Sequence, residues 1–148
     1  LDYFDKVRES GARFITGGKP KIVNGSCSDG WFIEPSIIEN LDRNTTCYNQ
    51  EAFGPVTSLH KFHEKDEVIS MANETKYGLS ASIWSSDLNT AHQVSRKINF
   101  GIVWINAWNL RDLRTPFGGM KDSGLGREGG NESMRFFSET KNICINYD

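Results

Sequence analysis

The arrangement of hydrophobic and polar positions becomes regular at Val56 and stays regular over the next fifty residues. Short apolar runs typical of strands alternate there with amphipathic segments typical of helices. The three predicted strands are VTSLHKF, LSASIW and GIVWIN, and the two predicted helices are EKDEVISMANET and SDLNTAHQVSRKI. This order implies right-handed crossovers between parallel strands, so we predict an α/β fold with a mostly parallel sheet.

The second of these helices has the clearest pattern. Its apolar residues Ala91, Val94 and Ile98 recur at helical spacing and should form its buried face. Either Ser86 or Asp87 can cap its amino end, because a short polar side chain accepts hydrogen bonds from the first free backbone N–H groups.

The chain before Val56 is less regular. The opening segment DYFDKVRES predicts a helix that ends at Gly11 in a left-handed cap. A short apolar run, RFITGG, follows it, and the turn-rich segment KPKIVNGSCSDGWFIEPSII indicates hairpin-like surface structure. At the other end of the chain we predict a glycine-rich loop, a short helix around Glu132 to Phe137 and a last strand, NICINY.

The glycine-rich loop contains the spacing of a dinucleotide-binding fingerprint, Gly124-x-Gly126-x-x-Gly129. A true fingerprint follows a strand directly, opens a helix and has an acidic residue about twenty positions later on the next strand. The preceding predicted strand ends near Asn106, and too few residues follow Gly129 for a second strand with its acidic ligand. We interpret the spacing as a chance match.

Composition narrows the classes of partner. The chain has 17 basic and 19 acidic residues and a net charge of -2, which gives no basic surface for nucleic acid. Its apolar runs are too short for a membrane partner, and the segment LDYFDKVRES lacks the features of a signal peptide. The charge balance favours a small-molecule partner over nucleic acid. The three scattered cysteines fit reduced thiols, and with no signal peptide recognised we expect a cytoplasmic protein.

One candidate metal site would combine His60 and His63 with Cys47. Residues three apart on a strand point to opposite faces, so the two histidines could not bind one ion without distortion. We therefore predict no metal.

Motifs spread along most of the chain resemble the carboxyl-terminal portion of the NAD(P)-dependent aldehyde dehydrogenase superfamily. The segments that carry the resemblance are GARFITGG, DGWFIEPSII, EAFGPV, YGLSASIW, GIVWIN, PFGGMKDSGLGREGG and FFSETKNICI. The resemblance implies that residues 1–138 are the carboxyl-terminal part of the catalytic domain. It also implies that residues 139–148 are a strand that joins a neighbouring subunit, which makes the protein a homo-oligomer.

The same resemblance implies an NAD site at EAFGPV. The family's ribose ligand matches Glu51, whose carboxylate can accept hydrogen bonds from two vicinal hydroxyls. The aromatic residue beside the nicotinamide ring matches Phe53. The alternative interpretation is that Phe53 belongs to a core and Glu51 is a solvated charge before a Gly-Pro turn.

The loop AWNLRDLRT matches part of the family's substrate entrance. In the branch that oxidises semialdehydes bearing a carboxylate, such as 2-aminomuconic and 2-hydroxymuconic semialdehyde, an arginine matches Arg111. The planar guanidinium suits a substrate carboxylate because it donates two parallel hydrogen bonds. Arg114 could share or replace that role, and Trp108 could line the tunnel. Alternatively, both arginines are surface residues paired with Asp112.

Other matches indicate structural roles. Asn106 ends a strand near the family's active site, and Arg127 and Glu128 are expected to stabilise the glycine-rich loop by an ion pair. The family's nucleophilic cysteine, its glutamate and its dinucleotide-binding domain all match positions before this segment. Cys47 lies in surroundings unlike those of the nucleophile, so we assign no catalytic residue here.

Three functions remain open from the sequence. The first is a part of an NAD-dependent aldehyde dehydrogenase that is inactive by itself. The second is a naturally truncated, non-catalytic module for oligomerisation or interaction, which could retain the same motifs. The third is an unrelated nucleotide-binding module built on Gly124 to Gly129, which would bind NAD in isolation.

Overall fold

The computed structural model describes all residues from 1 to 148. The chain forms two compact units, Leu1–Phe62 and His63–Asp148, and each has its own hydrophobic core. None of the helices is long and apolar enough to cross a membrane.

The first unit contains a three-stranded mixed sheet and two helices. Its elements are α1 (Asp2–Glu9), β1 (Arg13–Thr16), β2 (Ser36–Glu39), α2 (Thr46–Asn49) and β3 (Val56–Leu59). The strand order is β1-β2-β3, in which β1 runs antiparallel to β2 and β2 runs parallel to β3. This pairing makes β2 the central strand.

The second unit contains two separate strand pairs and three helices. Its elements are α3 (Lys65–Glu74), β4 (Tyr77–Gly78), β5 (Ser80–Ile83), α4 (Leu88–Lys97), β6 (Ile102–Ile105), β7 (Met120–Lys121) and α5 (Gly130–Phe136). Strands β5 and β6 are parallel, and β4 and β7 are antiparallel.

The core of the first unit forms between α1 and the sheet. Val7 and Ile38 are completely buried, and Leu41 and Cys47 pack with them. Helix α1 ends as predicted, because Gly11 has φ +80 and donates its N–H to the carbonyl of Arg8. The amphipathic helix therefore covers one side of β2.

The core of the second unit forms where α3 and α4 pack on β5 and β6. Ile69, Val94 and Ile98 are buried there, against partly buried side chains that include Ala81 and Val103. The predicted apolar face of α4 is thus confirmed.

Asp87 caps α4. Its side chain accepts a hydrogen bond from the backbone N–H of Asn89 at 3.0 Å and one from the hydroxyl of Thr90 at 2.5 Å. The Thr90 hydroxyl and then the Asn89 N–H lower the pKa of Asp87, because both stabilise the carboxylate.

The α/β class is confirmed, but the prediction of a mostly parallel sheet is wrong. The sheets are small and mixed, and β3 pairs with β2 rather than with β5. The segment Ser36–Glu39, which we assigned to surface structure, is a central strand in which Ser36 and Ile38 are buried. A buried strand of only four residues following a proline has too short a pattern to be recognised.

The hairpin-like interpretation applies only to the residues before β2. The N–H of Lys21 donates to the carbonyl of Phe32, and the N–H of Glu34 donates to the carbonyl of Lys19. Pro20 and Ile33 form an isolated antiparallel bridge between them. The apolar side chains of this hairpin lie largely at the surface, and Trp31 is almost fully exposed.

The predicted last strand, NICINY, is not formed within this chain. Residues 138–148 are neither helical nor extended in a sheet. A strand is stabilised by hydrogen bonds to a neighbouring strand, and no strand of this chain pairs with the segment. Ile143, Ile145 and Tyr147 are consequently exposed.

Candidate functional site

The segment EAFGPV connects α2 to β3 and lines a cavity of about 240 Å³ in the first unit. Glu51 and Phe53 both lie on this cavity, together with Tyr3 and Ile33. The ring of Phe53 is 95% exposed, so the interpretation of Phe53 as a core residue is wrong for this chain. Glu51 is also exposed, and its carboxylate has no hydrogen bond or ion pair.

The end of this segment is fixed by the sheet. The N–H of Ser36 donates to the carbonyl of Pro55 at 2.8 Å, immediately before β3 pairs with β2 in register. This hydrogen bond fixes the backbone only at the end of the segment, two residues after Phe53.

The loop at residues 107–115 follows β6 in the second unit and is attached to the strands at two points. The indole N–H of Trp104 donates to the carbonyl of Leu110 at 2.7 Å, and the hydroxyl of Ser82 donates to the carbonyl of Ala107 at 3.0 Å. Trp108 lies between these two points and is 75% exposed.

Arg111 contacts two residues outside its own loop. Its Nη2 donates to Glu128 Oε1 at 2.5 Å, and its guanidinium carbon lies 4.1 Å from the centre of the Phe117 ring. The side chain of Arg111 remains 40% exposed, and its Nε and Nη1 have no partner. The alternative interpretation, in which Asp112 pairs with both arginines, is therefore wrong for Arg111.

Arg114 does pair with Asp112. Its Nε donates to Asp112 Oδ1 at 2.9 Å and its Nη2 donates to Oδ2 at 2.5 Å. The hydrogen bond lowers the pKa of Asp112 and raises that of Arg114, because each charge stabilises the other. Asp112 Oδ1 also accepts the backbone N–H of Arg114, so the pair closes a local turn.

The predicted ion pair between Arg127 and Glu128 is not formed. Arg127 donates instead to the carbonyl oxygens of Gly119 at 2.7 Å and Gly126 at 2.8 Å, while Glu128 binds Arg111. Adjacent residues of an extended segment point to opposite sides, and this separates the two side chains. Arg127 still stabilises the glycine-rich loop, but through backbone carbonyls.

The glycine-rich loop lines a larger cavity of about 580 Å³ in the second unit. Its walls include Phe117, Leu125, Phe136 and Phe137. Helix α5 begins directly after Gly129, which is one condition of a dinucleotide fingerprint that the sequence did not predict. No strand follows α5, and β7 pairs antiparallel with β4, so the βαβ arrangement of that fingerprint is absent.

The candidate metal ligands are not brought together. Cys47 is buried in the core of the first unit, and His60 contacts Ser58 and the ring of Tyr48. The chain contains no group of three or more His, Cys, Asp or Glu side chains that could hold an ion.

Comparison with known proteins gives the family. The family model described as the aldehyde dehydrogenase family matches residues 1–143. The chain belongs to the aldehyde dehydrogenase family.

Among curated relatives, the chain is 44% identical over 148 residues to a 2-aminomuconic 6-semialdehyde dehydrogenase of a Pseudomonas species. The match covers 100% of this chain and 30% of that protein. It is 45% identical over 118 residues to a 2-aminomuconic semialdehyde dehydrogenase of Homo sapiens, covering 80% of this chain and 24% of that protein.

Solved structures of aldehyde dehydrogenases match the fold of the chain. An NAD+ complex of the aldehyde dehydrogenase from Bacillus cereus aligns with a TM-score of 0.89 and 35% identity, over 99% of this chain and 29% of that one. The indole-3-acetaldehyde dehydrogenase AldA of P. syringae, in complex with NAD+ and IAA, aligns with a TM-score of 0.86 and 34% identity. This alignment covers 95% of this chain and 28% of that one. The chain thus spans about 30% of the length of the aldehyde dehydrogenases that it matches.

The contact that holds Arg111 was missed from the sequence, whereas that of Arg114 was not. Arg111 is separated from its partner Glu128 by seventeen positions, and no local pattern indicates that pairing. Asp112 and Arg114 are two positions apart, and their contact was the part of the alternative interpretation that proved right.

Proposed function

We propose that this chain is the carboxyl-terminal part of an NAD-dependent aldehyde dehydrogenase that oxidises a carboxylate-bearing semialdehyde, such as 2-aminomuconic semialdehyde, to the acid. The observation that carries this proposal is the exposed guanidinium of Arg111, which keeps Nε and Nη1 free on the loop after β6. The names of the relatives with 41–48% identity support this substrate class.

The residues of the first unit fit NAD. A free carboxylate at Glu51 can accept hydrogen bonds from both ribose hydroxyls, and the exposed ring of Phe53 can lie beside the nicotinamide. Both side chains line the same cavity, so they can contact one bound molecule. NAD, when bound, is the oxidant for the aldehyde. Glu51 and Phe53 would bind and orient the NAD.

The residues of the second unit fit a substrate carboxylate. Arg111 is proposed as its ligand, Arg114 as a second cation on the same loop, and Trp108 as an apolar wall of the entrance. The nucleophilic cysteine and the glutamate that activates water are proposed to come from other parts of the enzyme, so this chain is inactive by itself.

The remaining features of the proposal concern organisation. Residues 1–138 are assigned to the catalytic domain, and residues 139–148 are assigned to a strand that pairs with a neighbouring subunit of a homo-oligomer. Ile143, Ile145 and Tyr147 occupy every second position of the sequence, as the apolar residues of one strand face do, and all three are exposed. The three free cysteines agree with a cytoplasmic enzyme.

The test is a comparison of two substrates with the complete protein that contains this chain. We expect NAD-dependent oxidation of a semialdehyde bearing a carboxylate, with a kcat/KM at least tenfold above that of a neutral aldehyde of equal length. Arg111→Ala should remove this preference and leave oxidation of the neutral aldehyde in place. Equal use of both aldehydes by the unmodified enzyme would overturn the substrate class, and absence of NAD reduction with either would overturn the activity.

A second candidate function is a non-catalytic interaction module, which is favoured by the exposed apolar side chains of residues 143–147. It predicts that a natural protein of this length forms a complex through its tail. Light scattering of the 148-residue chain, with Ile143→Lys and Ile145→Lys as disrupting variants, distinguishes a defined oligomer from a monomer.

A further inference from the structure

Phe117 and Glu128 face each other as a bridged pair in the glycine-rich region. Phe117 donates its N–H to the carbonyl of Glu128 at 2.7 Å, and Glu128 donates its N–H to the carbonyl of Phe117 at 2.8 Å. Residues that exchange both backbone hydrogen bonds project their side chains to the same face. The ring and the carboxylate are therefore held side by side.

Arg111 lies against both side chains. Its guanidinium carbon is 4.1 Å from the centre of the Phe117 ring, and its Nη2 is 2.5 Å from Glu128 Oε1. The guanidinium lies over the ring and donates to the carboxylate, and both contacts restrict its position. Arg111 is thus oriented by a segment that is distant from it in sequence.

This arrangement leaves donors for a second carboxylate. Nη2 has two hydrogens, one beside Nε–H and one beside Nη1, and Glu128 uses one of them. The other Nη2 hydrogen stays free and lies parallel either to Nε–H or to an Nη1–H. Because Nε and Nη1 have no partner, the guanidinium keeps one complete pair of parallel donors in both cases. A ligand carboxylate can therefore bind Arg111 in bidentate fashion without displacing Glu128.

Arg114 differs in this respect. Its partner Asp112 lies on the same loop, two positions away, and its own side chain is 88% exposed. The contacts of its guanidinium therefore lie within the loop itself.

We propose that Phe117 and Glu128 are positioning residues that orient Arg111 for the carboxylate of the substrate. This inference rests on the proposed function. The contact would determine specificity for acidic semialdehydes, because an oriented guanidinium loses less conformational entropy when the substrate binds.

The experiment measures the preference of the complete enzyme, defined as kcat/KM for the acidic semialdehyde divided by kcat/KM for a neutral aldehyde of equal length. Glu128→Ala and Phe117→Leu should each lower the preference about fivefold to tenfold, mainly through KM of the acidic substrate. Glu128→Gln should restore part of it, because the amide oxygen still accepts from Arg111. Glu132→Ala, which removes an exposed carboxylate paired with Arg135, is the matched control and should leave the preference unchanged.

A double-mutant cycle separates positioning from a general structural effect. In an Arg111→Ala background, Glu128→Ala and Phe117→Leu should no longer change the preference. If Arg111→Ala lowers the preference but Glu128→Ala and Phe117→Leu do not, positioning is wrong and the proposed function stands. If Arg111→Ala itself has no effect, the proposed anchor fails and the positioning role fails with it.

Discussion

The carboxamide of Asn106 makes two hydrogen bonds with the backbone of Ser85. Asn106 Nδ2 donates to the carbonyl of Ser85 at 2.9 Å, and the N–H of Ser85 donates to Asn106 Oδ1 at 2.9 Å. The backbone N–H of Asn106 also donates to the carbonyl of Ile83. The side chain thus continues the pairing of β5 and β6 beyond the last paired residues.

Replacing Asn106 by alanine should destabilise the chain. Two hydrogen bonds are lost, and alanine adopts the observed φ of 51 less readily than asparagine, so we expect a loss of about 1 to 3 kcal/mol. Urea unfolding of the 148-residue chain measures it. Asn106→Gly removes the same hydrogen bonds without the strain at φ and should be less destabilising than alanine. Equal stability of all three proteins would contradict this account.

A methyl group at Gly101 should be poorly tolerated. An added Cβ would lie 1.7 Å from the carbonyl oxygen of Gly118, which is backbone and cannot rotate away. We expect Gly101→Ala to cost about 3 kcal/mol in the free energy of unfolding. Gly54→Ala is the control, because a Cβ there meets nothing within 4 Å. A Gly101→Ala chain as stable as the Gly54→Ala chain would show that the loop at Gly118 can move aside.

His60 should make the first unit less stable in acid. Burial and then the charge of Arg43 lower its pKa below the usual 6.5, so the folded state favours the neutral ring. The unfolded state binds the proton more tightly, so protonation of His60 favours unfolding. The stability that the neutral ring contributes is fully present above pH 6.5 and is lost as the pH falls through the lower, folded-state pKa.

Replacement of His60 by glutamine should weaken this dependence on pH. Thermal unfolding between about pH 5 and pH 8 measures it. His92→Gln, on the exposed surface of α4, is the matched control and should keep the slope of the unmodified chain. The same slope in the His60→Gln chain would assign the acid sensitivity to other groups.

Glu51 should determine the affinity for NAD in the complete enzyme. Its free carboxylate is proposed to accept hydrogen bonds from two ribose hydroxyls. Hydrogen bonds to a charged group contribute about 1.5 to 3 kcal/mol to the free energy of binding. Glu51→Ala should therefore raise KM for NAD about tenfold to a hundredfold. Glu51→Gln should have a smaller effect, and Glu9→Ala, which removes an exposed carboxylate from α1, should have none. An unchanged KM in Glu51→Ala would remove Glu51 from the cofactor site.

Helices long enough to show a repeated apolar spacing were predictable from the sequence. Helix α4 followed from the spacing of Ala91, Val94 and Ile98. Its cap was predicted as Ser86 or Asp87, and the structure shows Asp87. The central strand Ser36–Glu39 was missed, since four residues carry too little periodicity. The two-residue strands β4 and β7 were missed for the same reason, because their pairing joins segments about forty positions apart.

The candidate site was predictable only at the level of individual residues. The motif around Glu51 and the loop around Arg111 identified side chains suited to ribose hydroxyls and to a carboxylate. The exposure of Phe53, the partner of Arg111 and the backbone contacts of Arg127 were not predictable, because each depends on segments that are distant in sequence.

The sequence by itself determined the family, the α/β class and the chemical types of the candidate ligands, because these follow from local patterns and from motifs with fixed spacing. The tertiary structure decided which strands pair and how Arg111 is oriented. Strand pairing and side-chain contacts are interactions between residues far apart along the chain, and their free energy is gained only when folding brings those residues together. The bridge between Phe117 and Glu128 is such a contact, and it gives Arg111 its orientation.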